Sequence, residues 1–324
     1  MTSPNRGWRV SLITPSLNQG RFLPAAIDSI ATQSYTPIDH IVVDGGSTDA
    51  TLEILADAEA RTGLRWISEP DRGMYDALNK GLAMAAGEIL GYLNCDDAYT
   101  PWAIETAVRA FEANSDADVV FGDGLTIDES TGKQRLALLP PFDARAYAFT
   151  GSLVQPAVFW RRRAYERLGG FDANLRFVGD LDYWLRLGGS VKVVRVDEVL
   201  AVERHHDAAL SRASADRMAA EAAEVRARHH SSTATAARLA TLVARGRGAV
   251  WRRLLWLRFL RSLRGGGHAA ARPWGRFVAE GRLRISPLRV SLMFVPRIGA
   301  ALAWDAIRSE RDWFDHETAT SADG

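Results

Sequence analysis

The sequence predicts an α/β fold, a doubly wound and mostly parallel sheet with helices on both faces. Strand and helix patterns alternate over residues 8–121, and repeated units of this length favour right-handed crossovers between parallel strands. Two of the strands end in carboxylates, at Asp44 and at Asp96 and Asp97. In sheets of this kind ligands bind beyond the carboxyl ends of the strands. The fold class therefore predicts a ligand site at that edge.

The predicted elements follow from hydrophobic periodicity and turn residues. The predicted strands of the first part span residues 8–14, 39–44, 64–68, 88–93 and 118–121. The helices between them span 22–32, 51–61, 75–86 and 101–113, the last with Thr100 as N-cap and Pro101 as first helical residue. A hairpin (125–128 with 134–138), a strand (153–160), helices (162–168 and 181–187) and a strand (191–196) follow. The composition then changes, which predicts one domain over residues 1–215 and a helical, arginine-rich region over 216–324.

Composition and cysteine content are those of an ordinary globular protein. The chain has 324 residues, of which 47% are hydrophobic and 24% charged. The single cysteine, Cys95, excludes an intramolecular disulfide and favours a reducing compartment. Residues 1–9 are polar and residues 10–17 already resemble a strand, so we see no secretory signal. Nor is there a run of about 18 uncharged apolar residues. We expect a cytoplasmic location.

The net charge of +1 conceals a basic segment near the C-terminus. Residues 245–297 contain thirteen arginines and one acid, Glu280. On a helical wheel, residues 249–264 place tryptophan, leucine and phenylalanine on one side and arginine on the other, with three residues on the wrong faces. Such a helix suits the surface of an anionic membrane, at ~1 kcal/mol per basic residue. The alternative is a helical bundle packed on the first domain. Nucleic acid is disfavoured because no reading motif accompanies the charge.

The segment GYLNCDD, residues 91–97, is the strongest local signal. A buried strand runs directly into Asp96 and Asp97. Two adjacent carboxylates are poorly suited to a core, because each buried charge needs a partner. They are well suited to a hard divalent cation, which takes oxygen ligands and can bridge to phosphates. The alternative is a turn that carries two surface acids.

The segment VVDGGSTDAT, residues 42–51, predicts a strand, a glycine turn and a helix capped by Ser47 or Thr48. Asp44 could accept hydrogen bonds from a nucleobase or a ribose, or it could simply cap the turn; both interpretations stay open. No G-x-G-x-x-G motif occurs here. That absence counts against a dinucleotide-dependent oxidoreductase.

The segment EPDRGMYDALNKG, residues 69–81, is a polar loop that leads into a helix. Arg72 or Lys80 could neutralise diphosphate oxygens, and Asp76 could contact a nucleoside. The alternative is a solvated helix start with an i,i+4 pair between Asp76 and Lys80. We favour the functional interpretation, because the loop must leave the sheet beside Asp44.

Two later segments carry further candidates. In VGDLDYWLRL, residues 178–187, Asp180 precedes an apolar, aromatic turn that could hold it rigidly as a general base. Asp182 could be that base instead, or either aspartate could only cap the helix. In ERHHDAALSR, residues 203–212, His205 or His206 could reach a metal or phosphates, or be structural.

Taken in order, these segments closely resemble the family 2 glycosyltransferases. The residues that carry the resemblance are VSLITPSLNQGRFL, VVDGGSTDAT, EPDRGMYDALNKG, GEILGYLNCDD, QPAVFWRRRAYERLGGFD and GDLDYWLRL, within residues 9–211. The branch it looks most like builds bacterial exopolysaccharide, colanic-acid-like capsule or O-antigen repeats. The resemblance implies a GT-A fold, a nucleotide-sugar donor, Mg²⁺ or Mn²⁺, and inversion at the anomeric carbon.

The resemblance also assigns roles by position. It places Thr14 and Pro15 beside the nucleotide and Asp44 near the base. Asp96 and Asp97 match the metal-binding D-x-D-type motif; Asp97 is the expected direct ligand and Asp96 lies against the donor. The remaining assignments are Asp180 as the catalytic base and His206 as the histidine of the closing H-x-x-x-x-S element.

Two departures from the family pattern refine the expected activity. Gly45 stands where many members have a second acid, so base recognition depends on Asp44. The Q-x-x-R-W motif of processive synthases is absent, which indicates transfer of one sugar per acceptor. We expect a polyprenyl-linked glycan acceptor at the inner face of the plasma membrane.

Two rival functions are disfavoured. A sugar-1-phosphate nucleotidyltransferase would need a glycine-rich basic loop after the first strand, where this chain has PSLNQGRFL. A non-catalytic scaffold of the same fold would be expected to lack Asp97 or Asp180, and both are present.

Overall fold

The computed structural model describes most of the first 229 residues. The described residues are 7–137, 139, 142, 147, 153–187, 191–207, 209, 214–229, 284–285 and 307–308. The basic helix predicted at 249–264 lies outside this set. Within it, no helix is both long and apolar enough to cross a membrane.

The strands of the described residues form one nine-stranded sheet and a separate antiparallel pair. The sheet strands are β1 (Val10–Ser16), β2 (Ile38–Asp44), β3 (Arg65–Ser68), β4 (Ile89–Tyr92), β5 (Ala98–Tyr99), β6 (Val119–Asp128), β7 (Lys133–Ala137), β8 (Val158–Arg161) and β9 (Val193–His205). The pair is β10 (Arg284–Ile285) with β11 (Ile307–Arg308). A 3-10 turn, Gln155–Ala157, precedes β8.

In chain order, the helices of the described residues are α1 (Leu23–Ala31), α2 (Thr51–Thr62), α3 (Met74–Met84), α4 (Ala103–Ala113), α5 (Arg162–Leu168), α6 (Gly179–Leu187) and α7 (Ala215–His229).

The strand order confirms the predicted α/β class. The sheet runs β3-β2-β1-β4-β8-β6-β9-β5, with β7 paired to β6. The strands β1 to β4 are mutually parallel, whereas β8 is antiparallel to both of its neighbours. Because β2 and β4 flank β1, the chain reverses its direction of winding between β1 and β4. A crevice opens at the carboxyl ends of the strands at such a point.

An aromatic cluster fixes α6 on the sheet. Trp184 of α6 packs edge-on against Trp160 of β8, with ring centroids 5.4 Å apart. Tyr183 stacks on Phe171, with centroids 4.3 Å apart. These side chains are almost fully buried, and aromatic pairs of this geometry stabilise beyond their buried area. The start of α6, which carries Asp180, is thereby held at the edge of the sheet.

Several predicted boundaries are wrong. One strand, β6, replaces the two strands predicted at 118–121 and 125–128. The glycines between them, Gly122 and Gly124, do not end the strand but lie where its pairing with β9 is irregular. The hydroxyl of Thr100 donates to the carbonyl of Val199 2.9 Å away and does not cap α4, which begins at Ala103. Nor do Ser47 and Thr48 cap α2: the amide of Thr51 donates to Asp49.

Helix α7 follows the domain boundary predicted at residue 215, yet it packs on the first domain. Ala222 and Val225 are buried in the main hydrophobic core, and Met218 packs against it. These residues belong to the region that the sequence assigned to 216–324. These contacts favour a first domain that extends beyond residue 215, and we propose that it includes α7.

A buried ion pair between β6 and β9 provides a test of stability. Asp123 and Arg195 have side chains 1% and 6% exposed, and the guanidinium donates to both carboxylate oxygens at 2.8 Å. Burial raises the pKa of Asp123 to about 6 even though Arg195 opposes the shift. Arg195 also pairs with Asp197, which is 44% exposed, so Asp123→Ala removes the more buried of these two carboxylate partners. We expect the free energy of unfolding, measured in urea, to fall by about 3 kcal/mol, the low end of the range for a broken buried ion pair.

The matched control is Asp116→Ala. Asp116 pairs with Lys192 at 2.7 Å, but both side chains are about half exposed or more, so we expect a loss of only about 0–1 kcal/mol. Equal losses in the two variants would contradict a structural role for the Asp123–Arg195 pair.

Candidate active site

The candidate site is built at the carboxyl ends of β1 and β4. Pro15 lies at the end of β1, and its carbonyl accepts a hydrogen bond from the Cys95 thiol, 3.2 Å away, in the loop after β4. The side chain of Thr14 is fully buried, with its hydroxyl 3.0 Å from Nε2 of His40 in β2. Burial lowers the pKa of His40 to about 4, so the ring is neutral. The Thr14 hydroxyl is therefore occupied inside the fold, and the predicted contact of Thr14 with a nucleotide stays a prediction for its backbone.

Asp44 is fully buried, and its carboxylate is occupied by the turn that follows β2. It accepts hydrogen bonds from the amides of Gly46 and Ser47 at 3.0 and 2.9 Å. It also accepts from the hydroxyls of Ser47 and Ser68, the latter at 2.7 Å. Of the two interpretations left open by the sequence, these contacts favour the turn-organising role.

Asp71 covers the glycine that replaces the family's second acid. A Cβ atom built on Gly45 would lie 2.6 Å from Oδ2 of Asp71. The other oxygen, Oδ1, accepts the amide of Gly73 at 2.8 Å, and the side chain is half-buried. A carboxylate from the β3–α3 loop thus lies where an acid following Asp44 would begin.

Asp96 and Asp97 follow β4 in a tight turn, in which the amide of Asp97 donates to the carbonyl of Asn94. Oδ2 of Asp96 lies 3.1 Å from Nε2 of His206, whose side chain is 5% exposed. Oδ1 of Asp97 accepts the amide of Arg204 at 3.1 Å. The pairing of β5 with β9 causes this meeting, because it places residues 96–97 beside residues 203–206.

Glu203 adds a third carboxylate to this cluster. It precedes Arg204 in β9, across from Asp97. Burial, with smaller contributions from Asp180 and Asp96, raises the pKa of Glu203 to about 7. Burial, followed by the charges of Asp96 and Glu203, raises the pKa of Asp97 well above its ordinary value. The cluster therefore has an excess of negative charge that a cation would relieve.

The carboxylates are close but do not form a finished metal site. Within the described ranges, no group of three His, Cys, Asp or Glu side chains converges as a set of metal ligands. His206 contacts Asp96, not Asp97. The donor types nevertheless fit a divalent cation, since two carboxylates and an imidazole lie at one strand end.

Asp180 is the second residue of α6 and lies beside the buried Tyr75 of α3. The Tyr75 hydroxyl donates to Oδ1 of Asp180 over 3.4 Å. Burial raises the pKa of Asp180 above its ordinary value. Asp182, the alternative base, has Oδ2 bonded to Arg186 at 2.9 Å and Oδ1 at 2.9 Å from His229. Asp180 is thus the aspartate better able to meet a substrate hydroxyl.

The candidate aspartates come from distant parts of the chain, but their charges affect the pKa values of the same buried side chains. The charges of Asp96, Asp44 and Asp97 all act on the Cys95 thiol, whose pKa burial raises to about 12. Asp180 and Asp97 both act on the buried Tyr92.

The β3–α3 loop is organised by local ion pairs. Arg72, which is 70% exposed, donates to Oδ1 of Asp76 at 3.0 Å. Lys80 pairs with Glu69 at 2.8 Å. The i,i+4 pair in this loop is therefore Arg72–Asp76, whereas the sequence suggested Asp76–Lys80. Arg72 and Asp76 stay predicted donor contacts.

Comparison with known proteins decides the family. Residues 11–170 match the model of "Glycosyl transferase family 2". A curated relative, the PGL/p-HBAD biosynthesis glycosyltransferase of Mycobacterium bovis, is 34% identical over 179 residues, which cover 54% of this chain and 68% of the relative. The chain belongs to the family 2 glycosyltransferases.

Two solved structures agree with this glycosyltransferase in fold. S. aureus TarS 1–349 in complex with UDP-GlcNAc is 15% identical with a TM-score of 0.57, over 74% of this chain and 72% of that one. The chain spans 44% of a longer TarS structure. Mannosyltransferase PcManGT from Pyrobaculum calidifontis, in complex with GDP-Man and Mn²⁺, is 19% identical with a TM-score of 0.55, over 84% and 83%.

Two residues beside the candidate site, Glu203 and Tyr75, escaped the sequence interpretation. Glu203 follows the apolar run VLAV and stands two residues before His205, so an acid at the end of a predicted strand could have been recognised. Tyr75 and Asn79 lie one turn apart on α3. Asn79 donates to the carbonyl of Phe171 and accepts its amide, both at 2.8 Å. Part of the polar α3 segment is therefore structural, because it binds the loop that leads to α6.

Proposed function

We propose that this glycosyltransferase is an inverting, metal-dependent enzyme that moves one sugar from a nucleoside-diphosphate sugar to an acceptor hydroxyl. The observation that carries the proposal is that two acidic groups with different surroundings act on the same buried residue: besides burial, the charges of Asp180 and Asp96 both raise the pKa of Glu203. Asp96 and Asp97 lie at the end of β4, where Asp96 contacts His206, and Asp180 lies at the start of α6 beside Tyr75.

Asp97, Asp96 and His206 are the residues we propose to hold the cation. The negative charge of the two carboxylates is poorly compensated, since burial and the charges of Asp96 and Glu203 raise the pKa of Asp97. PcManGT, of similar fold, is described with Mn²⁺, and we propose Mg²⁺ or Mn²⁺ here. When bound, the cation would act as a Lewis acid that neutralises the charge of the leaving diphosphate.

Asp180 is the proposed general base. As the acceptor oxygen forms its bond to the anomeric carbon, the hydroxyl proton passes to the Asp180 carboxylate. The bond to the diphosphate breaks on the opposite face of the sugar. The raised pKa of Asp180 brings it nearer to the working pH, which favours proton transfer. The Tyr75 hydroxyl, which donates to Oδ1, helps to orient the carboxylate.

The donor nucleotide is proposed to lie across the carboxyl ends of β1 and β2. Pro15 and Asp96 border this edge, and Arg72 and Asp76 lie on the loop beside it. Because the carboxylate of Asp44 is occupied by its turn, we propose that Asp44 shapes the base pocket indirectly. Asp71, which covers Gly45, is the better candidate for direct contact with the base.

The acceptor is proposed to be a lipid-linked glycan of cell-surface polysaccharide synthesis. The support is the basic segment at 245–297, which carries thirteen arginines and suits peripheral binding to an anionic membrane. Co-sedimentation with anionic vesicles tests this point, with the intact chain compared to one lacking residues 245–304. Binding that requires the segment supports the proposal; full binding by the shortened chain contradicts it.

A screen of nucleotide sugars tests the reaction class. We expect one donor to raise the melting temperature in the presence of Mg²⁺ or Mn²⁺, because a ligand that binds the folded state stabilises it. The same donor without metal, or with excess EDTA, should stabilise much less. Tight donor binding and sugar transfer that are insensitive to EDTA would contradict metal dependence.

A further inference from the structure

Helix α7 packs along the part of the fold that carries Asp180. Its buried residues, Ala222 and Val225, lie on the same face as Glu221 and Arg228, as expected for residues three and four apart on a helix. The matched part of the family model ends at residue 170, so α7 lies outside it.

Glu221 accepts three backbone hydrogen bonds from the segment that enters α6. Oε1 accepts the amide of Arg176 at 2.7 Å. Oε2 accepts the amides of Phe177 and Val178 at 2.7 and 3.0 Å. Hydrogen bonds to a carboxylate are about twice as strong as neutral ones, and a negative charge beside a helix N-terminus is stabilising. One side chain therefore fixes three consecutive residues that end two positions before Asp180.

The far end of α7 makes two more contacts with the same part of the fold. Nε2 of His229 lies 2.9 Å from Oδ1 of Asp182, and Arg228 donates to Oδ2 of Asp172 at 3.3 Å. At the start of α6 itself, a Cβ atom on Gly179 would lie 2.7 Å from the ring of Tyr75 in α3. The start of α6 is thus in close contact with α3, and the segment that enters it is bonded to α7.

We infer that α7 is a strap that holds the catalytic helix in place, and that Glu221 is a positioning residue for Asp180. The inference rests on the proposed role of Asp180 as the base. In the described part of the chain, the Glu221 carboxylate accepts its hydrogen bonds from backbone amides, so it acts through the placement of α6. A displacement of about 1 Å at a reacting group can lower a rate by roughly 100-fold, so the placement of Asp180 sets its efficiency.

The test compares Glu221→Gln with Glu224→Gln. Glu224 lies on the same helix but is exposed, so its variant controls for a change of charge in α7. Glutamine has one side-chain oxygen, so in Glu221→Gln only that oxygen can accept hydrogen bonds from the backbone amides. The NH2 group that replaces the other oxygen would face backbone N–H donors. We expect faster amide hydrogen exchange in residues 172–187, and kcat lower by roughly 10- to 100-fold with KM for the donor unchanged. Glu224→Gln should match the wild type in hydrogen exchange, in kcat and in KM.

Two further variants separate positioning from a general loss of structure. Glu221→Asp keeps the charge but shortens the reach, so it should fold and lie between the wild type and Glu221→Gln in exchange and in kcat. In an Asp180→Asn background, Glu221→Gln should lower the residual transfer rate little further, because the group that it positions is already absent.

The inference is overturned if exchange in residues 172–187 is the same in Glu221→Gln and Glu224→Gln. It is also overturned if kcat is unchanged, or if the losses from Asp180→Asn and Glu221→Gln simply add. The exchange measurement needs no turnover. Normal transfer by Asp180→Asn alone would therefore refute the proposed base while leaving the strap contacts testable by exchange.

Discussion

Asp180→Asn is expected to lower the kcat of sugar transfer by about 10²–10⁴-fold, the usual contribution of a general base, with unchanged donor affinity. Asparagine has the same shape and can still accept a hydrogen bond from Tyr75, but it cannot take a proton from the acceptor. The measurement is the transfer rate at saturating donor and acceptor, together with calorimetric titration of the nucleotide sugar.

The pH dependence of this reaction follows from the same residue. A base must be ionised to act, so kcat/KM should fall as the pH drops through the pKa of Asp180. Because burial raises that pKa, the acid limb should lie above the range of an ordinary carboxyl group, about 3.9.

Asp182→Asn is the control for Asp180→Asn, two residues away on the same helix. Its carboxylate contacts Arg186 and His229, so we expect lower thermal stability and a smaller loss of kcat at temperatures where the variant is folded. Turnover by Asp180→Asn within a few-fold of wild type would show that another group takes the proton.

Asp97→Asn is expected to change activity and stability in opposite directions. Loss of a ligand carboxylate should lower metal-dependent transfer by roughly 10²- to 10³-fold, since a bound cation supplies several kcal/mol in the transition state. Without metal, the variant should be more stable than wild type at pH 7. Burial and neighbouring charge raise the pKa of Asp97, so its ionised form costs folding free energy that asparagine does not.

The difference in stability between Asp97→Asn and the wild type should depend on pH. A carboxyl group with a raised pKa in the folded state holds its proton more tightly than in the unfolded chain, so stability falls as the pH rises through that interval. The advantage of Asp97→Asn should therefore be largest at neutral pH and vanish below about pH 3.9. The measurement is urea unfolding from pH 3 to 8 with EDTA, with Asp116→Asn, at an exposed position, as control. A less stable Asp97→Asn at pH 7, or full transfer by it, would contradict the assignment.

The sequence predicted the part of the site that comes directly after strand ends. The run from Ile89 to Asp97 could be interpreted because an apolar strand that meets two carboxylates is a local pattern. The position of Asp180 at the start of a helix could be predicted because the aromatic residues after it anchor that helix, whereas its role as the base stays a proposal. The burial of the Thr14 side chain could not be predicted, because β1 is buried on both faces and has no alternation of polar and apolar residues.

The remaining contacts depend on tertiary structure. Asp97 meets Arg204 only through the pairing of β5 with β9, which joins residues about 107 apart in sequence. Glu221 meets the amides of residues 176–178 across 43 to 45 positions, and those amides carry no side-chain signal. The division predicted at residue 215 assigned α7 to the C-terminal region for the same reason, since alanine-rich helices have similar sequences whether or not they pack on a neighbouring domain.

The anomeric configuration of the product is the most direct measurement of the central claim. With the donor identified by the screen, proton NMR of the newly made glycoside gives its configuration from the coupling of the anomeric proton, or for mannose from the one-bond carbon–proton coupling. Direct displacement assisted by Asp180 predicts a configuration opposite to that of the donor, β from an α-linked nucleotide sugar. Retention of the donor's configuration would contradict it.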